Sequence, residues 1–311
     1  MPVFSVVIPL YNKEQYIKET LQSALNQTFT DFEIIIVNDG STDNSAGVVK
    51  LFTDTRIHYI EIKNSGVSAA RNNAIKAAKG SIIAFLDADD LWQPNHLEAL
   101  HELYLENPTA GMLCSRYITR IGNGVLQKPV FLGIDENFSG IIADAFYSST
   151  VNRVALTAAL AVPKNVFDVT GMFNENTTHP EDTELWIKIM IKFPVAITNQ
   201  YTVIYNFDQP QSWSRASMKS RKIMDFNQFK QHEKTNKSLK AFVDIYRIEY
   251  ALKYRIEGDV INSRRLLADA DTTNLSFKTK LLFLTPPFIL QLLLAVKHWL
   301  HRKGVSFSVY N

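Results

Sequence analysis

The chain has little cysteine and no strong excess of charge of either sign. Cys114 is its only cysteine, so no internal disulfide can form. The sequence has 33 basic and 31 acidic residues, a formal net charge of only +2. So small a charge creates no global field for nucleic acid, and we expect no nucleic-acid partner. The first residues, MPVFS, lack the basic and apolar regions of a secretory signal, and we expect a cytoplasmic protein.

Two common nucleotide-binding motifs are also missing. No Gly-x-Gly-x-x-Gly segment follows the first predicted strand, and no segment matches the Gly-x-x-x-x-Gly-Lys-Ser/Thr phosphate loop. These absences exclude dinucleotide-dependent dehydrogenases and P-loop NTPases. The 311 residues are 46% hydrophobic, which is enough for the core of one large domain or of one domain with an appendage.

Short apolar segments alternate with segments of helical period along the first half of the chain. Apolar residues recur at helical spacing between residues 16 and 25 and between residues 67 and 78. Four segments are predicted strands, namely residues 4–8, 34–37, 57–62 and 82–86. This βαβα order predicts an α/β fold with a mainly parallel sheet flanked by helices. Ligands of such sheets bind beyond the carboxyl ends of the strands.

An acidic cluster follows the fourth predicted strand. Residues 87–90 read Asp-Ala-Asp-Asp, directly after the apolar run that ends at Leu86. Hard cations such as Mg²⁺ and Mn²⁺ prefer carboxylate oxygens and usually stay bound to the phosphates of a substrate as well. The cluster therefore suggests a metal-dependent phosphate or nucleotide site. The alternative is a solvated turn, where aspartate is also common.

Further polar groups follow the other predicted strands and should meet the acidic cluster at one edge of the sheet. Residues 9–12 (PLYN) follow the first strand, and residues 38–43 (NDGSTD) follow the second. Residues 64–72 (NSGVSAARN) enter a helix in which the Arg71 guanidinium can reach an anion near the N-terminus. Taken singly, each group has another interpretation. Residues 38–43 are typical of an ordinary turn, Arg71 is typical of a surface ion-pair donor, and Tyr11 is typical of a packing residue. Because all these groups follow strand ends, they are more readily explained as one joint site than one by one. Since the chain lacks the dinucleotide-binding and phosphate-loop motifs, this site is expected to bind a nucleotide sugar.

These four segments, in this order and spacing, resemble those of the family 2 glycosyltransferases over about the first 215 residues. The resemblance implies a Rossmann-like GT-A domain that binds a nucleoside diphosphate sugar, with a UDP-sugar as the expected donor. It also implies transfer of a hexose with inversion at its anomeric carbon. Two partners are therefore expected. One is the nucleotide-sugar donor, and the other is a glycan or lipid-linked glycan whose hydroxyl accepts the sugar.

The resemblance also implies roles for individual side chains. Asp39 would accept the uracil N3 proton, Tyr11 would lie by the base, and Arg71 would contact the base or the diphosphate. Asp87 would face the ribose and the metal region, and Asp89 would bind the Mg²⁺ or Mn²⁺ that bridges the two phosphates. The implied nucleotide-binding residues are Pro9, Tyr11, Asp39, Arg71 and Asp87.

Residues 178–182 (THPED) are expected to contain the catalytic base. Asp182 precedes Leu185 and Trp186 by three and four residues, so it shares their inward helix face. The alternative is helix capping, because an aspartate at a helix start accepts free backbone N–H bonds. The segment resembles the Glu-Asp motif of the family, which implies that Asp182 is the base. We expect Glu181 to orient the acceptor or a neighbouring backbone group and not to be a second base. The sequence leaves the pKa of Asp182 open, since burial and Glu181 raise it and the helix N-terminus lowers it.

Residues 205–214 (YNFDQPQSWS) depart from the family pattern, which often has Tyr-Arg-x-His after the last strand of the sheet. The expected arginine and histidine are absent from this segment. Asp208 is a candidate oxygen ligand on the acceptor or donor-sugar side. Trp213 is a candidate platform for sugar stacking, with packing between domains as the alternative.

The sequence pattern predicts three regions. Residues 1–215 form the catalytic domain, with a nucleotide-binding half to about residue 110 and an acceptor half over residues 111–215. A C-terminal helical appendage follows over residues 216–276. Residues 277–311 form an apolar and basic tail.

The tail has two interpretations. Its apolar run, residues 281–296, contains two prolines and is shorter than a membrane-spanning helix requires. The tail either lies in a membrane interface, with Trp299 and the basic residues at headgroup level, or packs on the catalytic domain or a second subunit. The first interpretation implies peripheral contact with the inner face of the membrane and suits a lipid-linked acceptor. The second is compatible with a homodimer.

Together these features predict a metal-dependent inverting hexosyltransferase of cell-surface polysaccharide synthesis. Two other functions are open. A sugar nucleotidyltransferase also uses acids and Mg²⁺, but it normally has a Gly-rich basic loop where this chain has residues 9–12. The other is a non-catalytic nucleotide-sugar binding module, which the presence of both Asp89 and Asp182 disfavours.

Overall fold

The structure is a computed structural model that describes residues 1–121, 124–207, 217–273 and 275–302, the last six as backbone only. The chain divides into two compact units. The first comprises Met1–Ser214 with Lys222–Met224, and the second comprises Arg215–Arg221 with Asp225–Asn311. The predicted separation of residues 277–311 as a region of their own stays a prediction.

The described part of the first unit contains ten strands and seven α-helices. The strands are β1 (Phe4–Leu10), β2 (Phe32–Asp39), β3 (Ile57–Ile62), β4 (Ile82–Phe85), β5 (Leu91–Trp92), β6 (Met112–Ile121), β7 (Val125–Gln127), β8 (Gly140–Ile141), β9 (Leu160–Pro163) and β10 (Val195–Asn206). The helices are α1 (Ile17–Leu25), α2 (Ser45–Lys50), α3 (Val67–Ala77), α4 (His96–Glu106), α5 (Ala145–Ser148), α6 (Val166–Thr170) and α7 (Glu181–Lys192). A short 3₁₀ helix, Thr157–Ala159, precedes β9.

The strands form one mixed sheet in the order β3-β2-β1-β4-β9-β6-β10-β5. The four strands predicted from the sequence form its parallel half, β3-β2-β1-β4. Strand β9 lies antiparallel between β4 and β6, and β10 is parallel to β6. The predicted α/β fold, a sheet flanked by helices and followed by C-terminal helices, is confirmed.

Burial explains why the central strands are apolar without alternation. Every residue of β2 is buried, and β1 is buried apart from Pro9. Such continuous burial is typical of parallel strands covered on both faces by helices. Edge strand β3 is only partly buried. The register aligns Leu10 of β1 with Asn38 of β2 and Val7 of β1 with Phe85 of β4, so the loops after these three strands leave the sheet at the same edge.

A buried carboxylate fastens the opposite edge of the sheet, where β1, β2 and β4 begin. Glu33 accepts hydrogen bonds from the Ser5 hydroxyl and from the Lys79 backbone N–H, both at 2.6 Å. The Gly80 N–H donates to the Ser5 hydroxyl at 2.8 Å. The chain at Gly80 approaches so closely that an added Cβ would lie 2.6 Å from the backbone carbonyl carbon of Phe4. Glycine is therefore required where the chain enters β4.

The second unit is helical. Its described helices are α8 (Lys230–Glu233), α9 (Lys237–Ile256), α10 (Val260–Ala268), α11 (Phe277–Leu284) and α12 (Pro287–Arg302), with 3₁₀ helices at Met218–Ser220 and Phe226–Phe229. Arg247 of α9 is fully buried and donates to Glu233 at 2.7 and 2.9 Å and to Asp244 at 2.8 Å. Because these acids surround the guanidinium, its charge is compensated inside the unit. Among the described helices, none combines the length and the apolar character needed to cross a membrane.

His96, the first residue of α4, is a buried imidazole in the core of the first unit. Its Nδ1 lies 2.7 Å from the Thr202 hydroxyl of β10, and its ring lies on Trp92 with 4.2 Å between centroids. Burial lowers the pKa of His96 to about 3. The imidazole is therefore neutral in the folded chain, whereas in the unfolded chain it titrates near its reference pKa of about 6.5.

This difference predicts a pH-dependent stability. Below pH 6.5 the unfolded chain binds a proton that the folded chain does not, so the contribution of His96 is present above about pH 6.5 and is lost as the pH falls toward 3. Between pH 7 and pH 5 the unfolding free energy of the wild type should decrease by about 2 kcal/mol more than that of His96→Gln. Denaturant unfolding at both pH values measures the difference. The exposed His232→Gln is the control and should follow the wild type.

Candidate active site

The candidate site lies at the edge of the sheet where β1, β2 and β4 end. The loops after β1 and β2 are joined through Asn12, whose side-chain oxygen accepts the Thr42 N–H at 2.7 Å and whose N–H donates to the Ser41 hydroxyl at 3.1 Å. Asn12 adopts a left-handed backbone conformation with φ 51°, which asparagine tolerates better than most residues. Tyr11, directly after β1, is 36% exposed, and Pro9 lies within β1.

Asp39 is the buried last residue of β2. Its two carboxylate oxygens accept the backbone N–H groups of Ser65 and Gly66 at 2.6 and 2.8 Å. Gly66 precedes α3 with φ 92°, a conformation that favours glycine. Asp39 therefore fixes the entry of α3 against the end of β2. A carboxylate has about four lone-pair positions, so two remain for a ligand.

Arg71 of α3 bonds two segments of the first unit that are far apart in sequence. Its Nη2 donates to Asp87 at 2.8 Å and its Nη1 donates to Glu181, the first residue of α7, at 3.1 Å. Its guanidinium also lies over the Phe173 ring at 5.2 Å. Burial alone would lower the pKa of Arg71, but Asp87, Glu181 and Asp182 raise it above its ordinary value. Arg71 is thus a permanent, buried cation between the acidic cluster after β4 and the start of α7.

The other acids of the cluster have different environments. Asp89 receives the ammonium of Lys13 at 2.5 Å, and its side chain retains 19% exposure. Asp90 is buried and accepts the Asn206 backbone N–H at 2.9 Å, which ties the cluster to the end of β10. Burial raises the pKa of both carboxyls, and Lys13 opposes this shift at Asp89. Asp89 is therefore partly exposed and paired with the Lys13 ammonium. Asp90 is buried and holds the end of β10.

Glu181 and Asp182 begin α7 and are adjacent carboxyls with opposite pKa shifts. Burial and the charge of Asp182 raise the pKa of Glu181 to about 7, against the effect of Arg71. Burial also opposes ionisation of Asp182, but Arg153, Arg71 and the Thr183 N–H outweigh it and lower its pKa. Asp182 is therefore ionised at neutral pH, whereas Glu181 ionises only at a higher pH than an ordinary glutamate does. Such a split within a carboxyl pair is typical of sites that use one carboxylate as a base.

Two threonines orient the Asp182 carboxylate. The Thr157 hydroxyl, from the 3₁₀ helix before β9, donates to Oδ2 at 3.1 Å. The Thr183 N–H donates to Oδ1 at 2.6 Å. The carboxylate thus binds a backbone N–H of its own helix, as the capping alternative requires, and also faces the start of β9. The two interpretations are compatible in this geometry.

The donor set can be tested against a divalent cation. In the described part of the chain, no group of three or more histidine, cysteine, aspartate or glutamate residues is arranged to hold a metal ion. Asp87 and Asp89 offer hard carboxylate oxygens near one another, and each is bonded to a basic side chain. One or two carboxylates fit a Mg²⁺ or Mn²⁺ that takes its other ligands from substrate phosphates and water, but they do not form a closed protein site.

Three residues at the site had no role in the sequence-based interpretation. Lys13 follows the first motif directly, and only its position beside that motif indicates a role. Thr157 lies in a segment without a recognisable pattern. Asn72, part of the third motif, donates to the Phe173 carbonyl at 2.9 Å and to Glu175 at 2.8 Å, and it accepts the Phe173 N–H at 3.0 Å. The position of Asn72 in the motif does not predict partners that lie about a hundred residues further along the chain.

The structure thus brings together most of the predicted site residues. Arg71, Asp87 and Glu181 form one bonded network, and Asp182 lies beside it. Asp89 and Asp39 lie at the same sheet edge, each with partners of its own. Asp208 and Trp213 lie outside the described residues.

The chain is similar in sequence to known glycosyltransferases. Residues 5–154 match the family described as Glycosyl transferase family 2. The protein named UDP-Glc:alpha-D-GlcNAc-diphosphoundecaprenol beta-1,3-glucosyltransferase WfgD, of Escherichia coli, is 29% identical over 259 residues, or 82% of this chain and 92% of that protein. An uncharacterized glycosyltransferase of Rickettsia typhi, RT0329, is 31% identical over 193 residues, or 61% of this chain and 59% of that protein.

The chain spans only part of the length of several of the relatives that it matches. It covers between 20% and 59% of the length of four glycosyltransferases from Rickettsia bellii, R. typhi, R. prowazekii and Streptococcus pneumoniae. Among solved structures, S. aureus TarS 1-349 in complex with UDP-GlcNAc superposes with a TM-score of 0.60 at 20% identity. The superposition covers 86% of this chain and 90% of that one. This likeness shows a shared fold.

The three hydrogen bonds of Asn72 predict a large effect on stability. Asn72→Ala removes all of them and leaves the Phe173 N–H and carbonyl without these partners. At about 1 kcal/mol for each hydrogen bond, we expect a loss of about 3 kcal/mol in unfolding free energy, measured by denaturant titration. The neighbouring Asn73, whose side chain donates to the Ala69 carbonyl of its own helix, provides the matched control. If Asn73→Ala costs as much as Asn72→Ala, the contact with residues 173–175 is not the cause.

Proposed function

Because the comparisons support a glycosyltransferase of family 2, we propose that this protein transfers a hexose from a UDP-sugar to a hydroxyl of a lipid-linked glycan. One observation carries this proposal. Arg71 bonds Asp87 on the expected nucleotide side and Glu181 next to the expected base, so donor and base would lie on either side of one guanidinium. The name of the E. coli relative, which describes a UDP-Glc donor and a diphosphoundecaprenol acceptor, supports this choice of substrates. We place the reaction in cell-surface polysaccharide synthesis, in a GT-A domain on the cytoplasmic side of the membrane.

The nucleotide would bind along the loops after β1 and β2. In this proposal the uracil N3–H donates to Asp39, which has lone pairs free beyond its two backbone bonds. The exposed ring of Tyr11 offers a surface beside the uracil, and Pro9 lies just before the same loop, near the end of β1. Asp87 would accept a ribose hydroxyl. The backbone bonds of Asp39 hold its carboxylate in position before the donor arrives.

Asp182 is proposed to be the base of a single displacement. It is ionised at neutral pH, and its two oxygens are held by Thr157 and Thr183. The acceptor hydroxyl would lose its proton to Asp182 while its oxygen bonds to the anomeric carbon. The bond from that carbon to the diphosphate breaks in the same step, and its electrons leave with UDP. One attack from the opposite side inverts the configuration, with no covalent enzyme intermediate.

Glu181 is proposed to act as a positioning residue beside the base. As long as it is protonated, it adds no second negative charge next to Asp182 or near the diphosphate of the donor. Its Oε1 accepts from Arg71, and its carboxyl is available to orient the acceptor. Alternative functions as a sugar nucleotidyltransferase or as a non-catalytic module give no reason for adjacent carboxyls whose pKa values shift in opposite directions.

Asp89, and Asp87 beside it, would hold a Mg²⁺ or Mn²⁺ together with the phosphates of the donor. The cation would offset the negative charge that develops on the departing diphosphate. Asp89 is bonded to the Lys13 ammonium, which must move aside for a cation to bind at Oδ2. In this proposal, Lys13 would then donate to the diphosphate.

Two substitutions should separate donor binding from chemistry. Asp89→Ala should weaken UDP binding in the presence of Mn²⁺ by at least about tenfold, because it removes a ligand of the proposed cation. Asp182→Asn should leave UDP binding intact and lower transfer by about 10²- to 10⁴-fold, the usual contribution of a general base. Isothermal titration with UDP and turnover of a panel of UDP-sugars measure the two effects.

The matched control is Asp168→Asn, an exposed aspartate of α6, which should change neither quantity. A chain that fails to bind UDP at any metal concentration would contradict the donor assignment. Full transfer by Asp182→Asn would show that another group removes the proton.

The pKa of Glu181 predicts a pH dependence. Its pKa of about 7 means that it ionises as the pH rises through neutrality and adds a negative charge to a site that must bind a diphosphate. We expect kcat/KM of the wild type to decrease as the pH rises through about 7. Glu181→Gln cannot ionise and should keep its activity over this range. Identical pH profiles for the two proteins would assign the inflection to a different group.

A further inference from the structure

The last two helices, α11 and α12, expose large apolar side chains. Phe277, Leu281 and Leu284 of α11 recur at intervals of four and three residues, so they lie on one side of that helix. Phe288, Leu292 and Val296 of α12 recur at intervals of four, and Leu293 lies next to Leu292. Four of them are at least 60% exposed: Phe277 at 81%, Leu284 at 78%, Phe288 at 70% and Leu292 at 63%. We call the set the tail stripe; it consists of Phe277, Leu281, Leu284, Phe288, Leu292, Leu293 and Val296.

The opposite side of these helices is packed within the second unit. Thr279 and Leu290 are buried, the Gln291 side chain donates to the Ile256 carbonyl at 2.8 Å, and the Arg255 side chain donates to the Thr285 carbonyl at 3.2 Å. These contacts anchor α11 and α12 on α9. The tail stripe is therefore the outer face of a folded element. Apolar rows of this size on the surface of a protein usually mark an interaction site.

The charge of the tail indicates the kind of partner. Residues 272–311 contain five lysines and arginines and no aspartate or glutamate, whereas residues 1–271 contain 28 basic and 31 acidic residues. Lys280, between Phe277 and Leu281 of the stripe, is exposed. The tail stripe is apolar, and the charged residues of the segment that contains it are all basic. It is therefore complementary to a surface with an apolar interior and a negatively charged boundary. An anionic lipid bilayer has this composition.

The dimensions of the helices decide how they would meet a bilayer. Helix α12 has 16 residues, about 24 Å of helix, and begins at Pro287. Helix α11 has eight residues and ends at Leu284, so Thr285 and Pro286 lie between the two helices. Neither spans a hydrocarbon core of about 30 Å. Both can lie along the surface with the tail stripe in the acyl boundary and the lysines at the phosphates.

We propose that the tail stripe docks this protein on the surface of an anionic lipid bilayer. A second copy of the chain is the less suitable occupant, because a symmetric contact would bring together two segments that each contain five basic residues and no acid. The proposal goes beyond the transferase function and does not depend on it, since it concerns the second unit alone.

The test is flotation of the full chain with vesicles of phosphatidylcholine, with and without phosphatidylglycerol. We expect the protein to float with the vesicles that contain phosphatidylglycerol and to be released by high salt, which screens the lysines. The double substitution Leu284→Glu with Leu292→Glu should lower the bound fraction at least tenfold. Leu105→Glu, an exposed leucine of α4 in the first unit, is the matched control and should float as the wild type does.

Two measurements keep the outcome unambiguous. Circular dichroism and thermal unfolding show whether the double variant is folded; if it is not, the single change Leu292→Glu, near the end of the described stripe, replaces it. Light scattering after gel filtration gives the oligomeric state. Absence of flotation, or flotation that the folded variant retains, overturns the proposal. A dimer that the variant splits, without binding to vesicles, overturns it in favour of a second copy. Because UDP binding is measured separately, failure here is distinguishable from failure of the transferase assignment.

Discussion

The buried guanidinium of Arg71 is the interaction on which the candidate site depends. It bonds Asp87 and Glu181, and its charge also acts on Asp182. These acids come from two segments about ninety residues apart in sequence, and they would repel each other without a cation between them. Loss of one partner in a buried network of charges leaves the others uncompensated, which usually costs several kcal/mol. Arg71 thus holds the start of α7 against the loop after β4, and its charge favours the ionised form of both carboxyls at that start.

Much of the polar sequence around the site serves the scaffold. Asn12 joins two loops, Asp39 holds the entry of α3, Asn72 holds residues 173–175, and Asp90 binds the end of β10. Each of these side chains satisfies backbone groups that the irregular loops leave without secondary-structure partners. The motifs that resemble a nucleotide site are therefore in large part the framework that positions a smaller number of reactive groups. A rigid framework of this kind lets a site bind a donor without first reorganising.

The sequence predicted the parallel half of the sheet because those strands are continuous apolar runs separated by helices of clear period. It did not predict β9, a four-residue strand that lies antiparallel between β4 and β6, because so short a run contains no information about its neighbours. At the site, the inward direction of Asp182 followed from helical spacing. The pairing of Arg71 with Glu181 and of Lys13 with Asp89 did not follow, since contacts across 110 and 76 residues depend on the tertiary fold. The opposite pKa shifts of Glu181 and Asp182 likewise required the positions of Arg71 and Arg153.

The order of the strands also affects how the chain is made. Strand β5 is only two residues long, and Trp92 within it pairs with Val203 of β10. Strand β6 borders β10 as well. Until the ribosome has added the residues of β10, β5 has no partner strand and one side of β6 is open. The four-stranded parallel half can assemble early from neighbouring segments, but this end of the sheet has to wait for β10. In a nascent chain the nucleotide side would therefore form well before the acceptor side, and the open strand edges in that interval are where chaperones would be needed.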